Sequence, residues 1–139
     1  MITEPVENTQ TQTIVSNSDD IHSWANWTPG IVDHHRSKKR IVWIDYTADW
    51  WTTCILNEKR VFSNNDVVDL VLSNNVSKIK IDYSKERAAE KKEWDRTNKA
   101  TIPLMIIYPA NPDRPGIFLE GTVSPADAIK ALKYAIKYS

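Results

Sequence analysis

What the sequence has little of removes several functional classes at once. It contains one cysteine, Cys54, in 139 residues, so no internal disulfide can form. A zinc site of four cysteines, or of paired cysteines and histidines, is excluded with it. Glycine is scarce, with 3 residues, and no Gly-rich loop or nucleophile elbow points to phosphate binding or hydrolysis. An excess of one charge is also missing. Lys plus Arg number 18 and Asp plus Glu 18, which leaves no electrostatic footprint for nucleic acid or an anionic membrane. No run approaches the ~20 apolar residues of a membrane span. The start MITEPVENTQ has neither a basic region nor an apolar core, so the chain reads as soluble, with no direct membrane insertion. Nothing in the composition calls for a cofactor or a resident metal.

What is present suits one globular domain. The length and a hydrophobic fraction of 41% are enough for a sizeable core. Residues 1–22 stand apart: Thr, Gln, Asn, Ser and acidic residues dominate, and too few apolar side chains offset the entropy of ordering them. The sequence therefore predicts a disordered polar tail or linker over 1–22 and an ordered domain over 23–139.

Within that domain the stretch from Ile41 to Cys54 is the organising unit. Ile41, Val42, Trp43, Ile44 and Tyr46, interrupted by Asp45, predict a central buried strand, and Trp50 to Phe62 predicts the helix it feeds. Before it, Thr28-Pro29 predicts the cap and first turn of a short helix to about Arg36. After it, Ser63 is the expected cap of a continuing or second helix over 64–72, stopped by Asn74-Asn75. VSKIKIDY (76–83) alternates as a strand, and 84–99 is a charged helix. LMIIY (104–108) reads as a third buried strand. The turn-rich NPDRPG (111–116) leads to a short edge strand at 117–119, and Ser124-Pro125 caps a last helix with Ala128, Ile129, Leu132, Ala135 and Ile136 inward. This alternation predicts an α/β class with the thioredoxin fold, a mixed central sheet flanked by helices.

The segment TADWWTTCILNEK (47–59), with VWID before it and TIPLMIIYP (101–109) after it, resembles the C-terminal thioredoxin-like domain of the thiol:disulfide interchange protein DsbD family. The likeness runs from Trp27-Thr28-Pro29 to the final helix, roughly four-fifths of the chain. It implies a periplasmic domain tethered to a membrane protein, taking electrons from a membrane-embedded domain and reducing partners in disulfide isomerisation and cytochrome c maturation. The resemblance breaks at the decisive position. The family pattern is Trp-Cys-x-x-Cys, and this chain reads Trp50-Trp51-Thr52-Thr53-Cys54.

Disulfide exchange needs one thiolate to attack and a second thiol to release the mixed disulfide, so a lone Cys54, at the family's resolving position, cannot cycle that way. It is expected to be a small, buried core residue; the other reading is a slow monothiol. Asp45 and Glu58 match the family's proton-tuning acids, which could relay a proton to a thiol; equally, Asp45 can be a leftover buried acid, and Glu58 a solvated residue or a partner for a nearby Lys. Ile102-Pro103 matches the family's cis-proline loop, which pairs with an extended substrate. Trp50 and Trp51 beside Ile102 and Pro103 would then offer an apolar surface to a protein or extended peptide, unless Trp51 folds back and fills the groove. The expected function is a protein-binding or regulatory module without dithiol chemistry. The alternative is a monothiol oxidoreductase acting through Cys54. The adjacent His34 and His35 point apart on a helix and make no metal pair, and Lys38-Lys39-Arg40 reads as a solvated connector.

Overall fold

A computed structural model describes residues 24–47, 52–82, 88–97 and 103–139. The polar tail, Trp50, Trp51, Tyr83, Ile102 and the first residues expected of the charged helix lie outside the described residues.

Among the described residues, β-branched and aromatic runs form the sheet. Its strands are β1 (Ala25–Asn26), β2 (Val42–Thr47), β3 (Ser77–Asp82), β4 (Leu104–Tyr108) and β5 (Ile117–Glu120), in the order β1-β3-β2-β4-β5. β3 lies parallel to both β1 and β2, whereas β4 is antiparallel to β2 and β5. The helices are α1 (Ile31–Ser37), α2 (Thr52–Phe62), α3 (Asn65–Ser73), α4 (Ala88–Arg96) and α5 (Pro125–Lys137). This is the α/β thioredoxin fold, with a mixed central sheet flanked by helices. As the sequence predicts, β2 sits at the centre and is buried along its whole length.

Alternation along β2 divides the core in two, because successive side chains leave opposite faces of a strand. Val42, Ile44 and Tyr46 join Ile79, Ile81, Leu104 and Ile106 on one face, under Trp27, Ile31, Val32 and Trp94. Trp43 joins Met105 and Ile107 on the other, under Val61 and Phe62 of α2, Val67 and Val71 of α3, and Ala128 and Leu132 of α5. Each fully buried large side chain of this kind contributes about 1.5–3 kcal/mol. Asp45 falls on the Trp43 face, the one α2 covers.

Helix starts depart from the sequence-based expectation in two places. The residue that caps α1 is Gly30, not Thr28, at φ 83°, a left-handed conformation that glycine adopts without a Cβ clash. Asn64 rather than Ser63 caps α3: its side-chain oxygen accepts from the backbone N–H groups of Asp66 and Val67 at 3.0 and 3.2 Å, while the Ser63 hydroxyl turns back to donate to the Arg60 carbonyl at 3.2 Å. The short edge pair β1 was not expected either, since two residues carry no alternation to read. At α5 the expected cap is present, a box in which Ser124 and Asp127 bond each other's backbone, with Pro125 in the first turn.

The hairpin from β4 to β5 is held from outside. Arg36 of α1 donates to the carbonyls of Pro109, Asn111 and Arg114 at 2.8, 2.6 and 2.8 Å and its guanidinium lies 5.0 Å from the Tyr108 ring centroid. Gly116 backs onto the same hairpin so closely that a Cβ there would meet Ile106 and Tyr108 at 2.8 Å.

Candidate functional site

The site is built where β2 hands the chain to α2. Cys54, the third residue of α2, has no exposed surface. With Asn57 and Val61, also at 0%, it forms an inward stripe at the i, i+3, i+7 spacing of one helix face. Asn57 fastens that face to the rest of the site. Its amide nitrogen donates to the Gly121 carbonyl at 2.6 Å and its oxygen accepts from the Val123 N–H at 3.2 Å. Gly121 in turn donates its N–H to the Pro103 carbonyl at 2.9 Å. A continuous chain of hydrogen bonds thus runs from α2 to the start of β4, where Pro103 is buried.

Asp45 lies inside this frame, 1% exposed, opposite Lys80 in β3 and Met105 in β4. Neither of its oxygens has a partner in hydrogen-bonding geometry among the described residues, though Glu58 stands close enough to couple to it. Burial first, and then the Glu58 carboxyl, pushes the Asp45 carboxyl well above the usual range, with Lys80 pulling the other way. Glu58, half-buried, is paired with Lys80 at 3.5 Å. Asp45, Glu58 and Lys80 therefore form a line from the dry interior to the surface, and a neutral Asp45 can hold a proton there. The chain supplies one thiol, Cys54, whereas exchange through a Cys-x-x-Cys unit needs two. No group of three metal-ligating side chains occurs among the described residues.

Of the sequence-predicted site residues, the structure brings Cys54, Asp45, Glu58 and Pro103 onto the α2 side of the fold; Trp50, Trp51 and Ile102 lie outside the described residues. Two features went unpredicted. One is Asn57, whose role depends on Gly121, which lies 64 residues away in the chain. The other is exposed apolar surface: Ile55 and Leu56, 46% and 50% exposed, line a groove with Trp24 and Phe62. Two apolar residues off the Cys54 stripe are a signal that a helical projection of α2 contains. The rings of His34 and His35, expected to point apart, meet edge-on with centroids 5.7 Å apart. His35 Nδ1 also lies 3.1 Å from the Ser77 hydroxyl. Burial, then Arg40 and His34, lowers the pKa of His35.

Fold and site together define a thioredoxin-fold domain with a single cysteine, and solved structures agree on the fold. The oxidised C-terminal domain of Neisseria meningitidis DsbD superposes with a TM-score of 0.61 at 14% identity, covering 84% of this chain and all of that one (100%). Thioredoxin from Trypanosoma brucei brucei gives 0.61 at 14% identity over 88% of this chain and 99% of its own. A Thermus thermophilus thioredoxin gives 0.60 at 14% over 82% and 88%. No protein-family model matches the sequence, and no curated protein sequence matches it significantly. No described helix is long and apolar enough to cross a membrane.

Proposed function

We propose that this chain is a protein-binding or regulatory module of thioredoxin fold that has given up dithiol redox chemistry. The observation that carries this reading is Cys54: the only cysteine in the chain is buried on the inner face of α2, and Trp51 occupies the sequence position of the cysteine that would attack a partner's disulfide. The sequence positions Trp50, Trp51, Ile102 and Pro103, which match the family's peptide-pairing loop and helix start, are the proposed seat of a protein or extended peptide, with Pro103 itself buried. The likeness of TADWWTTCILNEK to DsbD C-terminal domains, one of which shares the fold in its oxidised form, supports a periplasmic setting and a tether to a membrane protein. On this reading, residues 1–22 are a linker and 23–139 the functional unit.

The test compares insulin reduction by the chain and by Trp51→Cys, which re-creates the Cys-x-x-Cys spacing. The chain itself is expected to give no turnover above the reductant alone, and Trp51→Cys to gain it. Turnover by the unaltered chain at the rate of a working thioredoxin overturns the proposal. Amide shifts clustered around Pro103 on adding an extended peptide support the binding role, and their absence across a panel of such peptides counts against it.

A further inference from the structure

The face of α2 opposite Cys54 carries two large apolar side chains among its polar ones. Ile55 and Leu56 stand open in a groove of about 610 Å³, walled by Trp24 and Phe62, with Glu58, Lys59, Arg60 and Ser63 on its rim; Glu58 is offset by its pair with Lys80, and Arg60 donates to the Asn57 side-chain oxygen at 3.2 Å. Trp24 is fixed there, edge-on to Phe62 at 5.2 Å and to Trp43 at 6.4 Å. It is also the first described residue, so the covalent join to residues 1–23 lies beside the groove.

Their sequence is opposite in charge to Lys59 and Arg60. Residues 1–23 carry Glu4, Glu7, Asp19 and Asp20 and neither Lys nor Arg, so the neutral chain divides into an acidic segment and a remainder with 18 basic and 14 acidic residues. Apolar side chains occur close to the join at Ile21 and further out at Ile14 and Val15. Extended backbone spans roughly 10 Å from Trp24 to Ile21 and roughly 33 Å to Ile14. A segment tethered this closely has an effective concentration on the order of millimolar, so weak individual contacts suffice. We propose that the segment Ile14–Ile21 docks in this groove, setting its apolar side chains on Ile55 and Leu56 and Asp19 and Asp20 against Lys59 and Arg60. The docking does not depend on the protein-binding reading above.

The test places a nitroxide on Ser18→Cys in the full chain, with Cys54 retained because its burial keeps the reagent off; Cys54→Ala replaces it if Cys54 takes label. Amide signals of residues 55–60 and Phe62 are expected to broaden strongly. Lys59→Glu with Arg60→Glu, or salt near 1 M, is expected to restore at least half of that intensity. Broadening that fades within a few residues of Trp24 and spares α2 overturns the proposal. So does broadening of α2 that arises only when spin-labelled and isotope-labelled copies are mixed, since the occupant is then a second copy.

Discussion

At the scale of single residues, Asp45 has the most testable physics. Its folded pKa is raised above the ordinary 3.8 by burial and then by Glu58, so between that value and the folded pKa the native state holds a proton that the unfolded chain has released. Stability from this group is therefore greatest below about pH 4, falls as pH rises toward the folded pKa, and stays lower above it. Asp45→Asn carries no charge to desolvate. Urea midpoints measured from pH 4 to 8 are expected to drop in the parent relative to the variant, with Asp45→Asn more stable by about 1–3 kcal/mol at the upper end. The lowered pKa of His35 adds stability as pH rises in both proteins, so it cancels in the comparison, and a parent–variant difference that does not grow with pH contradicts the assignment. Cys54 gives the second prediction at this scale: a thiol reagent is expected to modify it promptly in denaturant and in the native protein only as fast as the fold opens. Prompt native labelling would favour the monothiol enzyme. Cys54, Asp45 and Glu58 could all be singled out from residue type and spacing. Asn57 could not, because a buried asparagine in a helix looks like a solvated one until Gly121 and Val123 are seen beside it.

Among elements, the junction between α2 and α3 separates two residues that sequence patterning treats as equals. Asn64 satisfies two otherwise orphaned N–H groups, and Ser63 satisfies none of them. Asn64→Ala is expected to cost about 1 kcal/mol and Ser63→Ala to stay within about 0.5 kcal/mol, as read from thermal or urea unfolding of the two variants side by side. Equal losses would put the cap back at Ser63. The strands were the more legible elements. β2, β3 and β4 carry enough β-branched and aromatic residues over 5 or 6 positions for alternation or a continuous apolar run to show. β1 has 2 residues, and its pairing with β3 rests on backbone hydrogen bonds to which its side chains give no clue.

For the molecule as a whole, the two cores meet in β2. Its even-numbered side chains pack under α1 and α4 and Trp43 packs under α2, α3 and α5, so neither half can loosen without exposing the strand that the other half needs. A single cooperative transition is the expected behaviour. Tryptophan fluorescence, to which Trp24 and Trp43 contribute from one core and Trp27 and Trp94 from the other, and far-ultraviolet circular dichroism are expected to give coincident urea curves. Transitions separated by more than their fitting error would show that the faces melt independently. The exposed groove at Ile55 and Leu56 also belongs to this scale, because only the joining of Trp24 to α2 turns two outward side chains into a surface with walls.

The sequence by itself determined the fold class, the order of the long elements and the loss of the dithiol, since each follows from local periodicity or from counting one residue type. Tertiary structure alone decided which capping residue faces a helix end, which distant backbone groups Asn57 bonds, and how the joining of Trp24 to α2 walls a groove. The physical reason is the same in all three cases. Hydrogen-bond satisfaction and desolvation depend on neighbours that are distant in the chain, and a one-dimensional pattern carries no record of them.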